Sequence, residues 1–195
     1  MRLLAIDTAL AACSAAVYDT EAGVIASESL PMERGHAEAL LPLIERVVAA
    51  AKTDFSAFDR IVVTVGPGSF TGLRVGVAAA RGIALAAKKR AVGVTTLRAM
   101  ARPHVKTDAS VISVIDARHE HVYFQAFDSG GDALQRARII PLREVADAAP
   151  QGPLRIVGNA ARLIDSIWPA SRGAPMVTEV AAPDIVWVAK LGAQN

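Results

Sequence analysis

The stretch Val65-Gly66-Pro67-Gly68-Ser69-Phe70-Thr71-Gly72-Leu73-Arg74-Val75-Gly76 decides the fold class of this chain. Residues 60–65, which lead into this stretch, are β-branched and almost continuously apolar, which is typical of a strand buried on both faces. Residues 71–89, which begin within the stretch and continue beyond it, are rich in alanine, and Ser69 or Thr71 can cap the first amides of a helix there. A buried strand joined to a helix by a short glycine-rich loop indicates an α/β fold.

The spacing within this loop excludes three familiar functional motifs. A Walker A loop needs Gly-Lys-Ser/Thr after its glycines, but Leu73 and Arg74 follow Gly72. A dinucleotide-binding fingerprint would place its third glycine three residues after Gly68, and here that glycine comes one position later. The positions around Ser69 where a nucleophile elbow requires glycine hold other residues. A turn that lets the helix pack tightly on its strand is the remaining interpretation from spacing alone.

The composition is that of a globular protein with a small net charge. The chain has 195 residues, 52% of them hydrophobic, and a formal net charge of +2. Its single cysteine, Cys13, cannot form an internal disulfide, and the apolar run at the amino terminus is too short for a secretory signal, so we expect a cytoplasmic protein. We expect no membrane span, because charges interrupt the alanine-rich stretches. The basic run 88–90 is typical of a solvated helix end and is a weak signal for direct RNA contact.

The chain contains an internal repeat. An apolar strand ends at Asp7, and a second aspartate, Asp19, follows twelve residues later; the same spacing separates Asp116 from Asp128. Between the two aspartates of each copy lie a short turn and a returning apolar strand. The sequence therefore predicts two similar lobes, each with an acidic turn at the end of its first strand.

Helices and a boundary between the lobes follow from the same patterns. Apolar residues at three- and four-residue spacing predict a helix over 40–51 that begins near Glu38 or is kinked at Pro42. The second half is predicted to contain a strand at 154–157 and helices at 160–167 and 184–191. Proline and polar residues around 103–109 interrupt both patterns, so we place an amino-terminal lobe at 1–103 and a carboxy-terminal lobe at 104–195.

The two acidic turns are candidate ligand sites. Turns of this kind that face a cleft can hold a hydrated magnesium ion while backbone amides receive phosphate oxygens, so Asp7 with Thr8, and Asp116, make a physically sensible nucleotide site. The alternative is that both aspartates only cap turns, as aspartate often does. The sequence leaves both interpretations open.

Four segments together resemble one family, in the same order and over nearly the whole chain. They are residues 5–8 (Ala-Ile-Asp-Thr), Gly35-His36 before Leu-Leu-Pro, the central glycine loop 66–74, and residues 115–118 (Ile-Asp-Ala-Arg) followed by Val122-Tyr123. This pattern is similar to the TsaB (YeaZ) family. The resemblance implies an actin-like ATPase (ASKHA) fold with two duplicated βββαβαβα-type lobes, consistent with the repeat.

The resemblance also implies a function. TsaB-like proteins act in N6-threonylcarbamoyladenosine (t6A) modification at A37 of tRNA as non-catalytic dimerization subunits. They pair with the paralogue TsaD, which carries the transferase site, are joined by the ATPase TsaE, and form homodimers in isolation; tRNA is contacted through the complex. By this resemblance the chain is not an enzyme by itself. It requires no cofactor, and ATP or ADP would bind only at a degenerate site formed by Asp7, Thr8, Asp116 and Gly158, or at a partner interface.

The histidines argue against the metal site of TsaD-like proteins, which uses two histidines four residues apart on a helix. His36 has Leu40 at the fourth following position, and His119 and His121 resemble residues of a solvated turn. We therefore expect no bound metal. The alternative functions are an independent ATP-dependent phosphotransferase or a metalloprotease of the same superfamily. A third alternative is an RNA-binding adaptor, for which the isolated chain would have to bind tRNA in a salt-sensitive way.

A partner surface is predicted on two helices. Gly72, Gly76 and Ala80 recur every fourth residue, and we expect this bare stripe to remain free for a partner helix while Leu73 and Val77 pack internally. On this basis Gly76→Leu should abolish pairing and leave the monomer folded. The complete predicted interface is Leu40, Leu41, Ile44, Val47, Gly72, Val75, Gly76, Ala79, Ala80 and Ile83.

Overall fold

The computed structural model describes residues 1–106 and 108–195, which form two compact units. Unit 1 comprises residues 1–99 together with 183–195, and unit 2 comprises residues 100–182. The first boundary lies within a few residues of the predicted one at 103. The last helix differs from the prediction, because it groups with unit 1 rather than with the carboxy-terminal lobe. This helix groups with unit 1 because its apolar side chains contact the sheet of that unit, as described below.

Unit 1 is a mixed sheet with helices on both faces. Its strands run in the order β3-β2-β1-β4-β5, with β1 antiparallel to β2 and parallel to β4. The elements are β1 (Arg2–Asp7), β2 (Ala12–Asp19), β3 (Gly23–Pro31), α1 (His36–Ala50), β4 (Arg60–Thr64), α2 (Phe70–Ala87), β5 (Arg90–Val94) and α6 (Ile185–Gln194).

Strands β1, β2 and β4 are buried on both faces over most of their length, as predicted for residues 60–65, although Val65 lies beyond the end of β4 and is 49% exposed. Because successive side chains alternate across a strand, Leu4 and Ile6 join α1 and α2 in one apolar cluster. Leu3 and Ala5 join residues of α6 in a second cluster on the opposite face. The hydrophobic effect therefore holds α6 on this sheet, although the whole of unit 2 separates it from the other elements of unit 1 in the sequence.

Unit 2 repeats the architecture of unit 1. Its sheet order is β8-β7-β6-β9-β10, which is the same arrangement of first, second, third, fourth and fifth strands. The predicted duplication is confirmed. The elements are β6 (Ser110–Arg118), β7 (His121–Phe127), β8 (Arg138–Pro141), α4 (Val145–Ala148), β9 (Leu154–Gly158), α5 (Ala161–Asp165) and β10 (Met176–Glu179), and the short α3 (Thr96–Ala101) spans the boundary between the units.

Two helices differ in extent from the sequence patterns. Helix α1 begins at His36 after the left-handed Gly35 and runs continuously past Pro42. Helix α5 is shorter than the predicted 160–167 and ends at Asp165. Around Ile167 and Trp168 the backbone continues in tighter turns with bonds to carbonyls three residues back.

Helix α2 is long and apolar enough, by length and composition only, to cross a membrane. Its 18 residues have a mean hydropathy of 1.3 despite Arg74 and Arg81, so the expectation that charges exclude such a segment was too strict. A helix that packs on a sheet passes the same test, and α2 packs its buried glycines on the sheet of unit 1.

Candidate functional site

The most specific sequence feature, the central glycine loop, lies against the acidic turn that ends β1. Strand β1 runs parallel to β4, so Asp7 and Thr64 lie side by side at the carboxyl ends of the two strands. The Thr64 hydroxyl donates a hydrogen bond of 2.5 Å to Asp7 Oδ1, which also accepts one of 3.2 Å from the backbone amide of Ala9. Sequence reasoning missed Thr64, although its position at the end of the neighbouring parallel strand is a signal for it.

Asp7 is completely buried, and its second carboxylate oxygen, Oδ2, has no hydrogen-bond partner in the described residues. Burial raises the pKa of Asp7 to about 6 from its ordinary value of 3.8, because desolvation disfavours the charged form. The hydrogen bonds from Thr64 and Ala9, and the nearby His36, act in the opposite direction. Burial therefore holds the pKa of Asp7 well above the ordinary value of a carboxyl group.

Thr8 and Ala9 fasten the acidic turn to the loop. The Ser69 amide donates to Ala9 O at 2.7 Å, and the Thr8 hydroxyl donates to Gly72 O at 2.7 Å. Ser69 also caps α2, since its hydroxyl accepts a bond of 3.2 Å from the Gly72 amide, which confirms the predicted cap. These bonds connect the end of β1 to the first turn of α2.

The predicted free glycine stripe is wrong, because it faces the protein's own sheet. A Cβ on Gly72 would lie within 3.0 Å of Thr8 O, and a Cβ on Gly76 would lie equally close to Thr8 Oγ1. Ala80 is also buried, while Leu73 and Val77 are only partly so. Glycine is required here for close approach, so the packing interpretation of the loop is confirmed and Gly76→Leu is not a usable test of pairing.

Most of the predicted partner surface is consumed by this internal packing. Of the ten residues, the six that are buried in the chain itself are Leu40, Ile44, Val47, Gly72, Gly76 and Ala80. Val75, Ala79 and Ile83 are partly buried against the same core. Leu41 is 55% exposed. A partner interface on α1 and α2 therefore stays a prediction only for the four residues that are not fully buried, which are Leu41, Val75, Ala79 and Ile83.

His36 has a structural role at the start of α1. Its ring is buried, and Nε2 lies 3.1 Å from Leu10 O in the connection after β1. Leu40, four residues later, is part of the core. The His36 side chain therefore holds the β1–β2 connection against the start of α1.

The second acidic turn has the same place in unit 2 but a different environment. Asp116 is near the end of β6, and its side chain is 37% exposed. Its backbone amide donates to Asn159 Oδ1 at 2.9 Å, and its carboxylate accepts a bond of 2.8 Å from the Arg118 amide. A Cβ on Gly158 would lie within 3.0 Å of Val114 O, so glycine is again required where the fourth strand meets the first. Asn159 is not among the predicted site residues, and only its position directly after β9 could have indicated its role.

The tip of the β6–β7 hairpin is conformationally unusual. Arg118, His119 and Glu120 are consecutive left-handed residues with φ of 67°, 50° and 59°, and none is glycine. His119 and His121 are exposed, with His121 Nδ1 at 2.6 Å from the carbonyl of His119. His119 therefore belongs to an exposed turn, as expected, whereas His121 is the exposed first residue of β7. Among the described residues no three His, Cys, Asp or Glu side chains cluster as metal ligands would.

Comparison with known proteins identifies the family. A family model described as "TsaD: tRNA N6-adenosine threonylcarbamoyltransferase" matches residues 18–162. The chain belongs to the TsaD family. Within this family it resembles the TsaB (YeaZ) members, which confirms the resemblance drawn from the sequence. It is 35% identical over 129 residues to the "tRNA threonylcarbamoyladenosine biosynthesis protein TsaB" of Escherichia coli (strain K12), an alignment that covers 65% of this chain and 55% of that protein.

Solved structures extend the similarity to the whole fold. "YeaZ from Pseudomonas aeruginosa" superimposes with a TM-score of 0.85 at 26% identity, covering 99% of this chain and 91% of that one. A ROK hexokinase from Thermus thermophilus, at 14% identity and a TM-score of 0.52, shares the fold alone. The predicted actin-like α/β fold is confirmed. The chain spans about half the length of the curated TsaB relatives it matches.

Proposed function

We propose that this chain is the non-catalytic, TsaB-type subunit in the synthesis of N6-threonylcarbamoyladenosine on tRNA. In this role it pairs in the cytoplasm with a TsaD-type transferase, and a TsaE-type ATPase joins the pair. The proposal is supported by the names of its relatives from Escherichia coli and Haemophilus influenzae, both described as tRNA threonylcarbamoyladenosine biosynthesis proteins. The likeness to YeaZ over 99% of the chain supports it further.

The observation that carries the non-catalytic part of the proposal is the internal use of the acidic turn. Asp7 is fully buried and accepts from Thr64 and Ala9, and the glycine loop is occupied by contacts to Thr8 and Ala9. A carboxylate that activates a substrate or holds a hydrated cation has to be reached by that group. The central glycine loop thus supports a structural role, in which it positions α2.

The proposed partner surface is the outward part of α1 and α2. Leu41 is a large apolar side chain that is 55% exposed, and Val75, Ala79 and Ile83 present partly exposed apolar surface on α2. Apolar residues of this kind that water can reach are candidates for burial by a partner. We propose that this surface contacts the transferase, and a second copy of the chain when the transferase is absent.

Reconstitution tests the function directly. The chain is mixed with the transferase, the ATPase, threonylcarbamoyl-adenylate and tRNA, and each protein is omitted in turn while modified nucleoside is measured. We expect modification only when the chain and the transferase are both present. Modification by the isolated chain, or hydrolysis of ATP by it, would overturn the non-catalytic assignment, and full modification in its absence would overturn its place in the pathway.

A pair of matched substitutions tests the surface. Leu41→Arg introduces a charge on the proposed interface, while Leu134→Arg makes the same change at a similarly exposed leucine (52%) in unit 2. Both side chains face water, so both variants should fold. We expect gel filtration to show loss of the complex with the transferase for Leu41→Arg alone. Equal behaviour of the two variants contradicts the assigned surface.

A further inference from the structure

The charges of this chain are segregated along the sequence. Between residues 60 and 107 lie nine of the 21 lysines and arginines and none of the 19 aspartates and glutamates. The remainder of the chain therefore carries 12 basic and 19 acidic residues, so the small net charge of +2 hides a strongly cationic middle. A block of one sign raises the local concentration of ligands of the opposite sign.

Three of these cations form a line on one helix. Arg74, Arg81 and Lys88 follow one another at seven-residue intervals along α2 and its cap, and all three are exposed. Seven residues are close to two helical turns, so the side chains lie on one face over ~21 Å. Arg90, at the start of β5, is exposed as well and follows Lys88 by two residues in the sequence. We call these four residues the basic stripe.

No carboxylate in residues 1–106 and 108–195 forms an ion pair with the basic stripe. Positions four residues before and after Arg74 and Arg81 hold only Phe70, Ala78, Val77 and Leu85, so the helix supplies no counter-charge either. The helix dipole favours cations at its carboxyl end, which accounts for Lys88 but not for Arg74 near the amino end. The stripe is thus left available for an external anion.

An aromatic side chain lies at one end of the stripe. Phe70 is 75% exposed, and the guanidinium carbon of Arg74 lies 5.0 Å from the centre of its ring. Exposed aromatic rings beside cations are the arrangement with which proteins stack unpaired bases and neutralise the adjoining phosphates. This combination of a regular line of charge and a stacking ring favours a nucleic acid over an acidic peptide.

We propose that the basic stripe binds the phosphate backbone of RNA, with Phe70 stacking on an unpaired base. The choice of RNA as the polyanion rests on the proposed function in tRNA modification. The stripe and the proposed partner surface use different sides of α2, because at roughly 100° per residue Arg81 lies well over 90° from Ala79 and Ile83. One helix can therefore contact the transferase on one side and RNA on the other.

Salt-dependent binding of the full chain to a fluorescein-labelled tRNA transcript, followed by fluorescence anisotropy from 50 to 200 mM KCl, tests the stripe. The stripe variant is Arg74→Gln with Arg81→Gln and Lys88→Gln. We expect the slope of log K against log salt to fall by about 2 to 3, so that the wild-type chain loses roughly thirtyfold more affinity over this range than the variant. Phe70→Leu should weaken binding about tenfold with little change in slope.

The control removes the same charge elsewhere. Arg136→Gln with Arg138→Gln and Arg143→Gln neutralises three exposed arginines of unit 2 and should leave the slope close to that of the wild type. Circular dichroism checks that both triple variants are folded. Equal slopes for the two triple variants, stripe-dependent binding of polyglutamate as tight as that of tRNA, or preference for vesicles of anionic lipid would each overturn the inference.

The outcomes separate this inference from the proposed function. A chain that supports tRNA modification but shows no stripe-dependent binding contradicts the inference and leaves the function standing. A chain that binds tRNA through the stripe but is dispensable for modification does the reverse. The stripe variant should also retain its complex with the transferase in gel filtration, and loss of that complex would assign the stripe to the protein interface instead.

Discussion

The two copies of the repeat share a topology but treat their acidic turns differently. In unit 1, Asp7 is fully buried and bonded to Thr64. In unit 2, Asp116 is partly exposed, and its neighbour Arg118 lies 3.8 Å from the carboxylate. The strand order and the place of each aspartate at the end of the first strand are the same. Equal backbone topology therefore does not produce equal chemical environments.

The difference arises from the segment that follows the fourth strand of each copy. After β4, the glycine loop runs back over Thr8 and Ala9 before α2 begins, and it covers the end of β1. After β9, the chain enters α5 within three residues, and the Asn159 side chain accepts a hydrogen bond from the Asp116 amide. Burial removes water from the Asp7 carboxylate and raises its pKa. The Asp116 carboxylate stays in contact with solvent and with the Arg118 guanidinium. Three predictions test this comparison.

The largest losses of stability are expected at the two glycines that lie against the backbone of the first strand, or of its turn, in each unit. Gly72→Ala and Gly158→Ala each force a Cβ within 3.0 Å of a backbone carbonyl oxygen of the first strand or its turn. Backbone cannot rotate away as a side chain can, so we expect each variant to lose about 3 kcal/mol or more of its free energy of unfolding, measured in urea. Gly82→Ala is the control in α2: nothing lies within 4 Å, and helix propensity should stabilise it by up to ~1 kcal/mol. Similar losses at Gly72 and Gly82 contradict the close-packing account.

The next effect concerns pH. The pKa of Asp7 is about 6 in the folded chain against 3.8 ordinarily, so the folded state holds this proton more tightly than the unfolded state. The resulting stabilisation is fully present below pH 4 and is lost as the pH rises through 6, a change of about 3 kcal/mol. Asp7→Asn should remove this component from the free energy of unfolding measured between pH 4 and 7.

Thr64→Val sharpens the pH experiment. The Thr64 hydroxyl stabilises the charged form of Asp7, so its removal should move the pH-dependent loss of stability to higher pH. If Asp7→Asn instead gives a curve parallel to that of the wild type, the buried carboxyl does not titrate in this range. The comparison between the two acidic turns would then rest on exposure alone.

The smallest effect is expected at the hairpin connections. Glu120 has φ of 59°, so Glu120→Gly relieves a left-handed side chain and should stabilise the chain by about 1 kcal/mol in thermal or urea unfolding. Glu120→Ala keeps the strain and serves as control. In unit 1 the described connection 8–11 contains no left-handed residue, so Ala11→Gly should destabilise by about 0.5–1 kcal/mol. The same sign at both hairpins would show that they do not differ in this way.

Much of the fold could be predicted because it depends on local patterns. The β-branched run at 60–65, the capping Ser69 and the spaced aspartates predicted β4, the start of α2 and the duplication. The placement of α6 could not be predicted by order along the chain. Its apolar side chains fit either sheet by composition, and only contact with residues such as Leu3 and Ala5 assigns it to unit 1.

The candidate site shows the same division. The resemblance drawn from the sequence implies Asp7, Thr8, Asp116 and Gly158 as the residues of a nucleotide site, but it does not give their environments. The glycine stripe was correctly identified as a place for close approach, yet its direction was reversed, because a bare helix face suits a partner and the chain's own sheet equally well. Thr8 and Val63 decide the matter by occupying that space.

The sequence by itself determined the α/β class, the repeat and the family, since strand and helix periodicity, turn residues and motif order are all local properties of the chain. The tertiary structure alone decided which face of α2 is buried, which aspartate loses its water and which cations stay exposed without an ion-pair partner. These depend on which distant segments come to lie within a few ångströms, because burial, desolvation and ion pairing are properties of that arrangement rather than of any single stretch of residues.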